Sequence, residues 1–445
     1  MMEERIGVTK SVCPICLKTI EAYKVRNDEN IYLVKKCSEH GEFRTILWRG
    51  EPHYEEWERP KTAAYPLNPF TEVSKGCPYD CGLCYDHRQH TCTALIEITD
   101  RCNLNCKFCF ANAGGNNDPD IGTIKYYYQR ILESSGTCNI QLSGGEPTLR
   151  EDLGEIIKLG HNMGFEFIQL NTNGLKLKDL DFVKKLKSAG LNSVFLQFDG
   201  LDDSIYSTLR GQKILKDKLA AIENLEKIGI GTILVCTVVP GVNDSSLYDI
   251  VKFGLDHIPT VRGVHFQPVS YFGRIPTIPK DRDRITLPEL MDKLSKQSEG
   301  IIKVTDFKPP GCENALCSFH ANYVGMEGKL IHLGGDHNEC ICNIEKGEEG
   351  SRKTKAFVER NWSLGQDKLK EGKYSSFTQL LHIIKNNYFS ISAMAFQDAW
   401  NLDIERLMDC CIHVVSKKGN LIPFCAYNLT SQHGKNLYRE MRHFK

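Results

Sequence analysis

The sequence predicts an α/β protein built around a partial, TIM-like (βα)6 barrel. Two patterns predict this fold: short apolar runs alternate with amphipathic stretches between residues 95 and 270, and polar or glycine residues follow nearly every apolar run. Parallel strands joined by right-handed helical crossovers produce this alternation. A doubly wound parallel sheet would produce the same alternation and is the alternative arrangement.

The repeating part of the chain divides into six predicted strands and five predicted helices. The strands are residues 95–98, 139–142, 167–170, 193–198, 232–237 and 263–266, and the helices are residues 121–133, 152–163, 180–189, 216–228 and 246–257. In barrels of parallel strands the active site lies at the carboxyl ends of the strands. The polar residues that follow the strands therefore predict a site at that rim.

The composition indicates an unsecreted globular protein of several domains. The chain has 445 residues, 41% of them hydrophobic and 25% charged, which allows two or three domains with a substantial core. Lys and Arg together number 56, as do Asp and Glu, so no overall charge favours nucleic acid or an anionic membrane. The chain start lacks the apolar core of a signal peptide, and no apolar run reaches the roughly 18 residues of a membrane span. We expect a cytoplasmic protein, with or without peripheral membrane contact.

Nineteen cysteines are many for an unsecreted chain, and most of them are clustered, which indicates metal sites rather than disulfides. The sequence divides accordingly into a metal ribbon (1–60), an auxiliary-cluster segment (61–94), the barrel (95–270) and a C-terminal region for a further cluster and the substrate (271–445).

The first sixty residues predict the metal ribbon. Cys13 and Cys16 form a Cys-x2-Cys pair, and Cys37 and His40 form a Cys-x2-His pair followed by Gly41. Two such pairs complete a tetrahedral site with four protein ligands and no open position, so we expect a structural role. The ligand set suits Zn²⁺ and a rubredoxin-like iron equally.

A second cysteine group lies just ahead of the barrel. Cys77, Cys81 and Cys84 have the spacing C-x3-C-x2-C, and Cys92 follows at a short distance. Four thiolates close a [4Fe–4S] cluster and suit it to electron transfer or scaffolding, so this group predicts an auxiliary cluster. The alternative, that this is the catalytic group, is disfavoured because the group neither follows a strand nor directly precedes the βα series.

A third cysteine group has the same spacing but lacks a fourth member. Cys102, Cys106 and Cys109 come directly after the first predicted strand. Three thiolates hold three corners of a [4Fe–4S] cluster and leave the fourth iron open to a ligand that is not protein, which indicates chemistry rather than electron transfer alone.

The motif C-x3-C-x-aromatic-C, together with Gly144-Gly145-Glu146-Pro147 after the second strand, resembles the radical S-adenosylmethionine (SAM) superfamily over residues 95–270. The resemblance implies that Cys102, Cys106 and Cys109 hold the cluster and that SAM chelates the open iron. A reduced cluster then cleaves SAM and yields a 5′-deoxyadenosyl radical. The residues that the resemblance implies as SAM contacts are Phe108 beside the adenine, Gly144, Gly145 and Glu146 at the methionine amino group, and Asn171, Asn173 and Gln197 at the ribose and carboxylate.

The C-terminal region predicts a further auxiliary cluster. The favoured ligands are Cys312, Cys317, Cys411 and Cys425, with Cys340, Cys342 and Cys410 as rivals. Between residues 377 and 400, apolar residues recur at helical spacing. This spacing is typical of core, and it also suits an apolar wall for a long hydrocarbon.

The order of the ribbon, the four-cysteine group, the catalytic motif and the C-terminal Cys-Ile-His and Ile-Pro-Phe-Cys-Ala-Tyr-Asn motifs resembles the archaeal tetraether lipid synthases over nearly the whole chain. This resemblance implies a lipid-biosynthesis transferase that abstracts hydrogen from unactivated alkyl carbons of archaeal-type membrane lipids and joins them by C–C bonds. It also implies a hydrophobic lipid substrate, an external electron donor such as ferredoxin or flavodoxin, one SAM-binding cluster, one or two auxiliary clusters, and one mononuclear zinc or iron.

Three other readings stay open at this level. The main alternative is a radical SAM methyltransferase acting on a dihydropterin-like small molecule, since some relatives of the tetraether lipid synthases are described in that way. A peptide-modifying enzyme fits less well, because such enzymes usually carry their extra cysteines at the C-terminus. An electron-transfer or ribbon-binding protein without enzymatic activity would have no use for the Gly-Gly-Glu-Pro element.

Overall fold

The structure is a computed structural model that describes residues 3–59, 62–326, 328–334, 347–364 and 383–439. Its N-terminal part is a four-stranded antiparallel meander in which each strand pairs with the next. The strands are β1 (Glu4–Val12), β2 (Thr19–Asn27), β3 (Asn30–Cys37) and β4 (Gly41–Trp48), followed by the short helix α1 (Tyr54–Trp57). The β1–β2 turn and the β3–β4 turn carry the two halves of the predicted ribbon site.

The predicted barrel strands are confirmed. Six strands pair in parallel and in sequence order, which is the order of a barrel, whereas a doubly wound sheet would reverse direction at a switch point. The strands are β5 (Thr93–Thr99), β6 (Asn139–Gly144), β7 (Ile168–Thr172), β8 (Ser193–Gln197), β9 (Gly231–Val238) and β10 (Val261–Pro268). The partial (βα)6 architecture is therefore the fold of the central region.

The crossover helices match the predicted helices, with one addition. They are α2 (Ile121–Ser135), α3 (Leu153–Asn162), α4 (Leu180–Ser188), α5 (Asp203–Arg210), α6 (Leu215–Ile228) and α7 (Leu247–Asp256). The sequence pattern does not predict α5, because the β8–β9 connection contains two helices where the βα alternation calls for one. This short helix is capped by Asp202, whose side chain accepts a hydrogen bond from the Ser204 amide.

The C-terminal region extends the central sheet at both edges. The added elements are α8 (Leu287–Gln297), β11 (Ser318–Met326), β12 (Lys329–His332), α9 (Gly347–Trp362), β13 (Tyr388–Met394), α10 (Ile404–Met408), β14 (Ile412–Val415), β15 (Leu421–Pro423) and α11 (Phe424–Asn428). β13 pairs in parallel with β10, and β14 pairs in parallel with β5. The result is an eleven-stranded sheet in the order β12-β11-β13-β10-β9-β8-β7-β6-β5-β14-β15. The edges of the six-stranded unit are thus paired with strands of the same chain, which protects them from other edges.

The βα alternation ends after Pro268, as the sequence predicts, but the C-terminal region still packs into the core of the barrel. Phe389 on β13 is fully buried and lies against α7, where a side chain at Gly254 would meet its ring at 2.9 Å. In the described ranges of the chain, no helix combines the length and the apolar character needed to cross a bilayer.

We expect Phe389→Ala to destabilise the protein by about 3–5 kcal/mol, because it removes a fully buried aromatic ring from the core that β13 shares with α7. The midpoint of urea unfolding, followed by circular dichroism, measures this loss. Ile301→Ala is the matched control, since Ile301 is 51% exposed and its loss should cost less than about 0.5 kcal/mol. An unchanged midpoint for Phe389→Ala would mean that β13 is not part of this core.

Candidate functional site

One large cavity lies at the carboxyl ends of the barrel strands. Its volume is about 2410 Å³, well above the roughly 300–1,000 Å³ of a pocket for one small ligand, so it has room for SAM and a second molecule. All the residues predicted at the SAM site line this cavity: Cys102, Cys106, Cys109, Phe108, Gly144, Gly145, Glu146, Asn171, Asn173 and Gln197. The structure therefore brings together the residues that four different strand ends contribute.

The loop of Cys102, Cys106 and Cys109 is held in place from two sides. Arg274, in the segment after β10, donates from Nη1 to the carbonyl of Cys106 at 2.9 Å, and its amide donates to the carbonyl of Cys109 at 2.9 Å. On the other side, the amide of Lys107 donates to the carbonyl of Leu209 in α5 at 2.9 Å. The positions of the cysteines are thus fixed by backbone contacts to distant parts of the chain.

Gly144 and Gly145 let the turn after β6 lie directly on the start of this cysteine loop. The Gly145 amide donates to the Thr99 carbonyl at 2.8 Å, and the Glu146 amide donates to the Arg101 carbonyl at 2.7 Å. A Cβ at Gly144 would come within 2.3 Å of the Thr99 carbonyl oxygen, and one at Gly145 within 2.1 Å of the Arg101 carbonyl oxygen. Only glycine allows this approach of two backbones.

Glu146 is 1% exposed, and its carboxylate accepts four hydrogen bonds from the chain itself. The donors are the amide and hydroxyl of Thr148 at 3.0 and 2.6 Å, the hydroxyl of Thr172 at 2.6 Å and the amide of Asn173 at 2.7 Å. Three of these bonds reach Oε1 and one reaches Oε2, so Oε2 keeps an acceptor site. Glu146 thus fixes the ends of β6 and β7, and the expectation that it receives the methionine amino group stays a prediction.

The other predicted SAM contacts differ in whether their side chains already form hydrogen bonds or packing contacts within the chain. The side-chain amide of Asn173 donates to Asn103 Oδ1 at 2.7 Å, and Gln197 accepts from Lys218 Nζ at 2.8 Å. Phe108 packs edge-on against Tyr271 with ring centroids 5.9 Å apart. Asn171 Oδ1, in contrast, is buried and has no hydrogen-bond partner among the described residues.

Three charged residues at this rim were not singled out from the sequence. Asp199, directly after β8, is fully buried and forms an ion pair with Arg210, whose Nε lies 2.7 Å from Asp199 Oδ2. Lys218 is also fully buried, and burial lowers its pKa to about 7. Asp199 is one of the polar residues that follow the fourth strand, so the strand-end pattern could have identified it as a site residue. Arg210 lies on α5, the helix that the pattern did not predict.

The barrel interior is polar and aromatic where such barrels are usually filled by Val, Ile and Leu. Asn171 on β7 is in register with Phe195 on β8, and both line the cavity. The Phe195 ring stacks on Trp362 at 5.7 Å between centroids and an interplanar angle of 23°. His265 lies 2.9 Å from the Ser392 hydroxyl, and burial lowers its pKa to about 4, so the imidazole is neutral near pH 7.

Two buried polar atoms of this interior have no hydrogen-bond partner among the described residues, Asn171 Oδ1 and Trp362 Nε1. One is an acceptor and the other a donor, and each costs free energy while it stays unpaired. Part of the stretch predicted as core or hydrocarbon wall, residues 377–400, lies outside the described residues. The described part forms β13, which contributes Ser390 and Ser392 to the cavity.

The ribbon site has the geometry of a mononuclear metal centre. The ligand atoms of Cys13, Cys16, Cys37 and His40 all lie within 4.8 Å of one another. His40 Nδ1 is 3.6 Å from Cys13 Sγ and 3.4 Å from Cys37 Sγ. Tetrahedral zinc with Zn–S of about 2.3 Å and Zn–N of about 2.0–2.1 Å sets these atoms about 3.6 Å apart, so the residues fit the metal.

The other cysteines fall into sets that differ from the predicted ones. Cys77, Cys81 and Cys84 lie on one loop, and Cys77 packs against the same apolar cluster that contains Cys81. Cys92 lies instead with Cys312 and Cys411, and the three Sγ atoms are all within 4.8 Å of one another. A contact that spans more than two hundred residues of sequence carries no local signal, and spacing alone assigned Cys92 to its nearest neighbours in the chain.

A further set comprises Cys317, Cys410 and Cys425, which influence one another's pKa. Arg406 Nη2 lies 3.4 Å from Cys317 Sγ, so the guanidinium group of Arg406 stands beside this group of cysteines. The predicted set Cys312, Cys317, Cys411 and Cys425 is thus divided between two groups, and Cys410, which was named as a rival ligand, stands with Cys317 and Cys425 in place of Cys411. Cys340 and Cys342 lie outside the described residues.

Comparison with known proteins identifies two parts of the chain. Residues 96–254 match the family described as the radical SAM superfamily, and residues 5–49 match the HMPTM N-terminal zinc ribbon domain. The 7,8-dihydro-6-hydroxymethylpterin dimethyltransferase of Methanocaldococcus jannaschii is 36% identical over 471 residues, which cover 94% of this chain and 93% of that relative.

Two more distant matches cover less of the chain. GTP 3′,8-cyclase of Nautilia profundicola is 25% identical and covers 66% of this chain and 89% of the relative. The crystal structure of Streptococcus suis SuiB bound to precursor peptide SuiA matches with a TM-score of 0.40 and 16% identity over 48% of this chain and 46% of that chain.

The predicted coupling of lipid alkyl chains is wrong. The relative that spans nearly the whole chain is a 7,8-dihydro-6-hydroxymethylpterin dimethyltransferase. The tetraether lipid synthase family, the lipid substrate and the membrane-lipid role have no support from these comparisons. The motifs that carried this resemblance consist of predicted metal ligands, and metal ligands do not encode the wall that selects a substrate.

We expect Cys16→Ala to remove the mononuclear metal from the ribbon while the iron–sulfur clusters remain. Loss of one of four ligands opens the closed tetrahedral site. Zinc and iron per chain, measured by mass spectrometry together with acid-labile sulfide, check this. Cys138→Ala is the control, since Cys138 is a buried thiol outside the ribbon. Unchanged mononuclear metal in Cys16→Ala would rule out the assigned ligand set.

We expect Gly145→Ala to weaken SAM binding about tenfold or more, because the new Cβ would collide with the Arg101 carbonyl and push the turn away from the cysteine loop. Equilibrium dialysis with the reconstituted protein measures the affinity. Gly122→Ala is the control, since its Cβ would meet only the Asp120 side chain at 3.5 Å. Equal affinities for the two variants would contradict the assigned SAM site.

Proposed function

The chain belongs to the radical SAM superfamily and to the family of the 7,8-dihydro-6-hydroxymethylpterin dimethyltransferase, and from this we propose that it is a radical SAM methyltransferase that acts on a dihydropterin. Membership in the superfamily implies a [4Fe–4S] cluster and SAM as cofactors. The observation that carries the proposal is the similarity to the dimethyltransferase along 94% of the chain, ribbon and C-terminal region included.

The interior of the barrel supports a dihydropterin as substrate. A pterin is a flat heterocycle whose edge alternates hydrogen-bond donors and acceptors. Phe195 and Trp362 offer aromatic faces for stacking, and the unpaired atoms Asn171 Oδ1 and Trp362 Nε1 offer an acceptor and a donor. Neutral His265 adds a polar group without a charge. Such a lining suits a polar aromatic molecule.

Cys102, Cys106 and Cys109 are the residues that would hold the catalytic cluster. They line one cavity, their loop is fixed by Arg274 and α5, and the turn of Gly144 and Gly145 packs on the same loop. In the described ranges of the chain the donor set is three thiols with no fourth, which fits a cluster whose remaining iron takes SAM.

When bound, the cluster and SAM would supply a 5′-deoxyadenosyl radical able to take a hydrogen atom from carbon, and a second SAM would supply the methyl group and leave as S-adenosylhomocysteine, with two electrons per methyl group from the external donor. The residues of the chain provide the geometry for this chemistry. Glu146 holds the ends of β6 and β7 through its four hydrogen bonds, and Lys218 holds the ends of β7 and β8 through Asn173 and Gln197. Phe195 and Trp362 orient the heterocycle, and the surrounding strands shield the reaction from water.

The remaining cysteine groups are proposed as auxiliary metal ligands in their new grouping. Cys77, Cys81 and Cys84 form one set, and Cys92, Cys312 and Cys411 form another, whose members Cys92 and Cys411 line the same cavity as the catalytic cysteines. An auxiliary centre at this second set would stand at the edge of the substrate cavity. An external electron donor, such as ferredoxin or flavodoxin, would supply the reducing equivalents.

The direct test is incubation of the reconstituted protein with 7,8-dihydro-6-hydroxymethylpterin, dithionite and SAM that is deuterated in its methyl group. We expect pterin products that carry one or two labelled methyl groups by mass spectrometry. Cys106→Ala, which lacks a cluster ligand, is the blank. An unchanged pterin alongside 5′-deoxyadenosine formation would contradict the proposed substrate.

We expect Trp362→Leu to weaken binding of the dihydropterin about tenfold, because stacking on one aromatic side chain is worth about 1–3 kcal/mol. Equilibrium dialysis with the pterin measures this. Phe253→Leu is the matched control, since Phe253 also forms a stacked pair, with Phe198 at 5.0 Å, but lies on the outer helix α7. Equal pterin affinity in both variants would exclude Trp362 from the substrate site.

A further inference from the structure

A buried arginine near the amino end of β10 ties two distant segments of the chain together. Arg262 is 2% exposed, and its guanidinium donates three hydrogen bonds, each to a main-chain carbonyl. Nε donates to the carbonyl of Asn361 at 2.9 Å, Nη1 to that of Asn386 at 3.0 Å and Nη2 to that of Lys385 at 2.8 Å. The planar fork of one arginine thus joins the end of α9 to the chain that enters β13.

Both segments are ends of helices, which explains why the partners of this cation are carbonyls. Asn361 lies in the last turn of α9, and residues 383–386 are helical just ahead of β13. The last carbonyls of a helix lack partners within the helix and form the negative end of its dipole. Burial lowers the pKa of Arg262 to about 10, which still leaves the guanidinium charged near pH 7. Arg262 therefore supplies donors and positive charge to two helix ends at once.

The end of α9 also fits closely onto β9, through a glycine. A Cβ at Gly231, the first residue of β9, would lie 2.5 Å from the Trp362 carbonyl oxygen and 3.1 Å from the Leu364 amide nitrogen. Only a residue without a side chain allows this approach of two backbones. The backbone of Trp362 is thus held by β9 at its own carbonyl and by Arg262 at the preceding carbonyl.

These two anchors place the Trp362 side chain in the cavity. Its ring stacks on Phe195 of β8, and both residues line the cavity. Because Trp362 belongs to α9 and not to a barrel strand, the position of its ring relative to Phe195 depends on how the end of α9 is held against the barrel. A contact residue keeps its geometry only when the groups behind it are fixed.

We propose that Arg262 is a positioning residue for the dihydropterin: by holding the ends of two helices, it fixes the Trp362 ring against which the heterocycle stacks. The inference rests on the proposed function, because it takes Trp362 as a contact of that substrate. Arg262 is not one of the described residues that line the cavity, so it acts through Trp362. The predicted SAM contacts lie at the carboxyl ends of the strands, whereas Arg262 lies at the other end of β10. Its loss should therefore weaken binding of the pterin and leave binding of SAM unchanged.

The test is equilibrium dialysis of the reconstituted full-length protein with 7,8-dihydro-6-hydroxymethylpterin and, separately, with SAM. The main variant is Arg262→Gln, which removes the cation and its fork, and it is made alone and together with Trp362→Leu. Arg262→Lys is the second variant, since it keeps the charge but loses the fork. The matched control is Lys35→Gln, because Lys35 is 1% exposed and its ammonium also donates to a main-chain carbonyl, that of Ala399 at 2.8 Å, but lies on β3 of the ribbon.

We expect the dissociation constant of the pterin to rise about fivefold in Arg262→Gln, short of the roughly tenfold rise in Trp362→Leu, because the ring is displaced rather than removed. Arg262→Lys should lie between Arg262→Gln and the wild type, and Lys35→Gln should match the wild type. Adding Arg262→Gln to Trp362→Leu should cause no further loss, since both changes act on the same ring. The affinity for SAM should stay at the wild-type value in every variant.

Three results overturn the proposal: wild-type pterin affinity in Arg262→Gln, an equal loss of SAM affinity in that variant, or a full additional loss when it is combined with Trp362→Leu. If Arg262→Gln does not fold, wild-type pterin affinity in Arg262→Lys overturns the proposal instead.

Failure of the proposed function gives a different result. If the wild-type protein does not bind the pterin, or if Trp362→Leu binds it as well as the wild type does, the assigned substrate site falls and the role of Arg262 falls with it. If Trp362→Leu weakens pterin binding while Arg262→Gln does not, only the role of Arg262 falls.

Discussion

The close approach of two backbone segments is the constraint on which the site depends. The turn of Gly144 and Gly145 lies on the first residues of the cysteine loop, with carbonyl oxygens where any side chain would have its Cβ. This approach is possible only because two glycines follow β6 and because β5 and β6 are neighbouring parallel strands. It fixes the distance between the three thiols and the rim of the barrel, where SAM would bind.

The other contacts at the rim connect that turn, strand end by strand end, to β7 and β8. Glu146 takes hydrogen bonds from Thr172 and Asn173 and so links the turn to the end of β7, and Lys218 links the end of β7 to that of β8. Asp199 and Arg210 then join the end of β8 to α5, where the Leu209 carbonyl accepts from the Lys107 amide of the cysteine loop. Buried charged groups are costly unless they are paired or hydrogen-bonded. Here Asp199 and Arg210 form an ion pair, and Glu146 and Lys218 are hydrogen-bonded across strand ends.

The sequence predicted the features that depend on local pattern. The six strands, five of the helices, the ribbon ligands Cys13, Cys16, Cys37 and His40, and the gathering of Cys102 with Gly144 at one rim all follow from periodicity and short spacings. The features it missed depend on contacts between distant residues. Cys92 lies beside Cys312 and Cys411, and β13 and β14 pair with β10 and β5, although no local signal marks these partners.

The substrate is the part that motifs could not decide. The cysteine motifs mark predicted metal ligands, whereas the lining of the cavity includes single residues such as Gln141, Phe195 and His265 on separate strands, each unremarkable in its own segment. Their common position in the barrel interior is visible only in the fold. That polar aromatic wall and the full-length similarity to a pterin dimethyltransferase lead to the same substrate class.

The central claim is that the radical formed at this rim acts on a dihydropterin held in the barrel. It is tested most directly with 7,8-dihydro-6-hydroxymethylpterin deuterated at its carbon-bound hydrogens, by mass spectrometry of the 5′-deoxyadenosine released in the presence of SAM and dithionite. The account predicts that deuterium appears in the 5′-deoxyadenosine of the wild-type protein. Abundant 5′-deoxyadenosine without deuterium from any of these positions would contradict it.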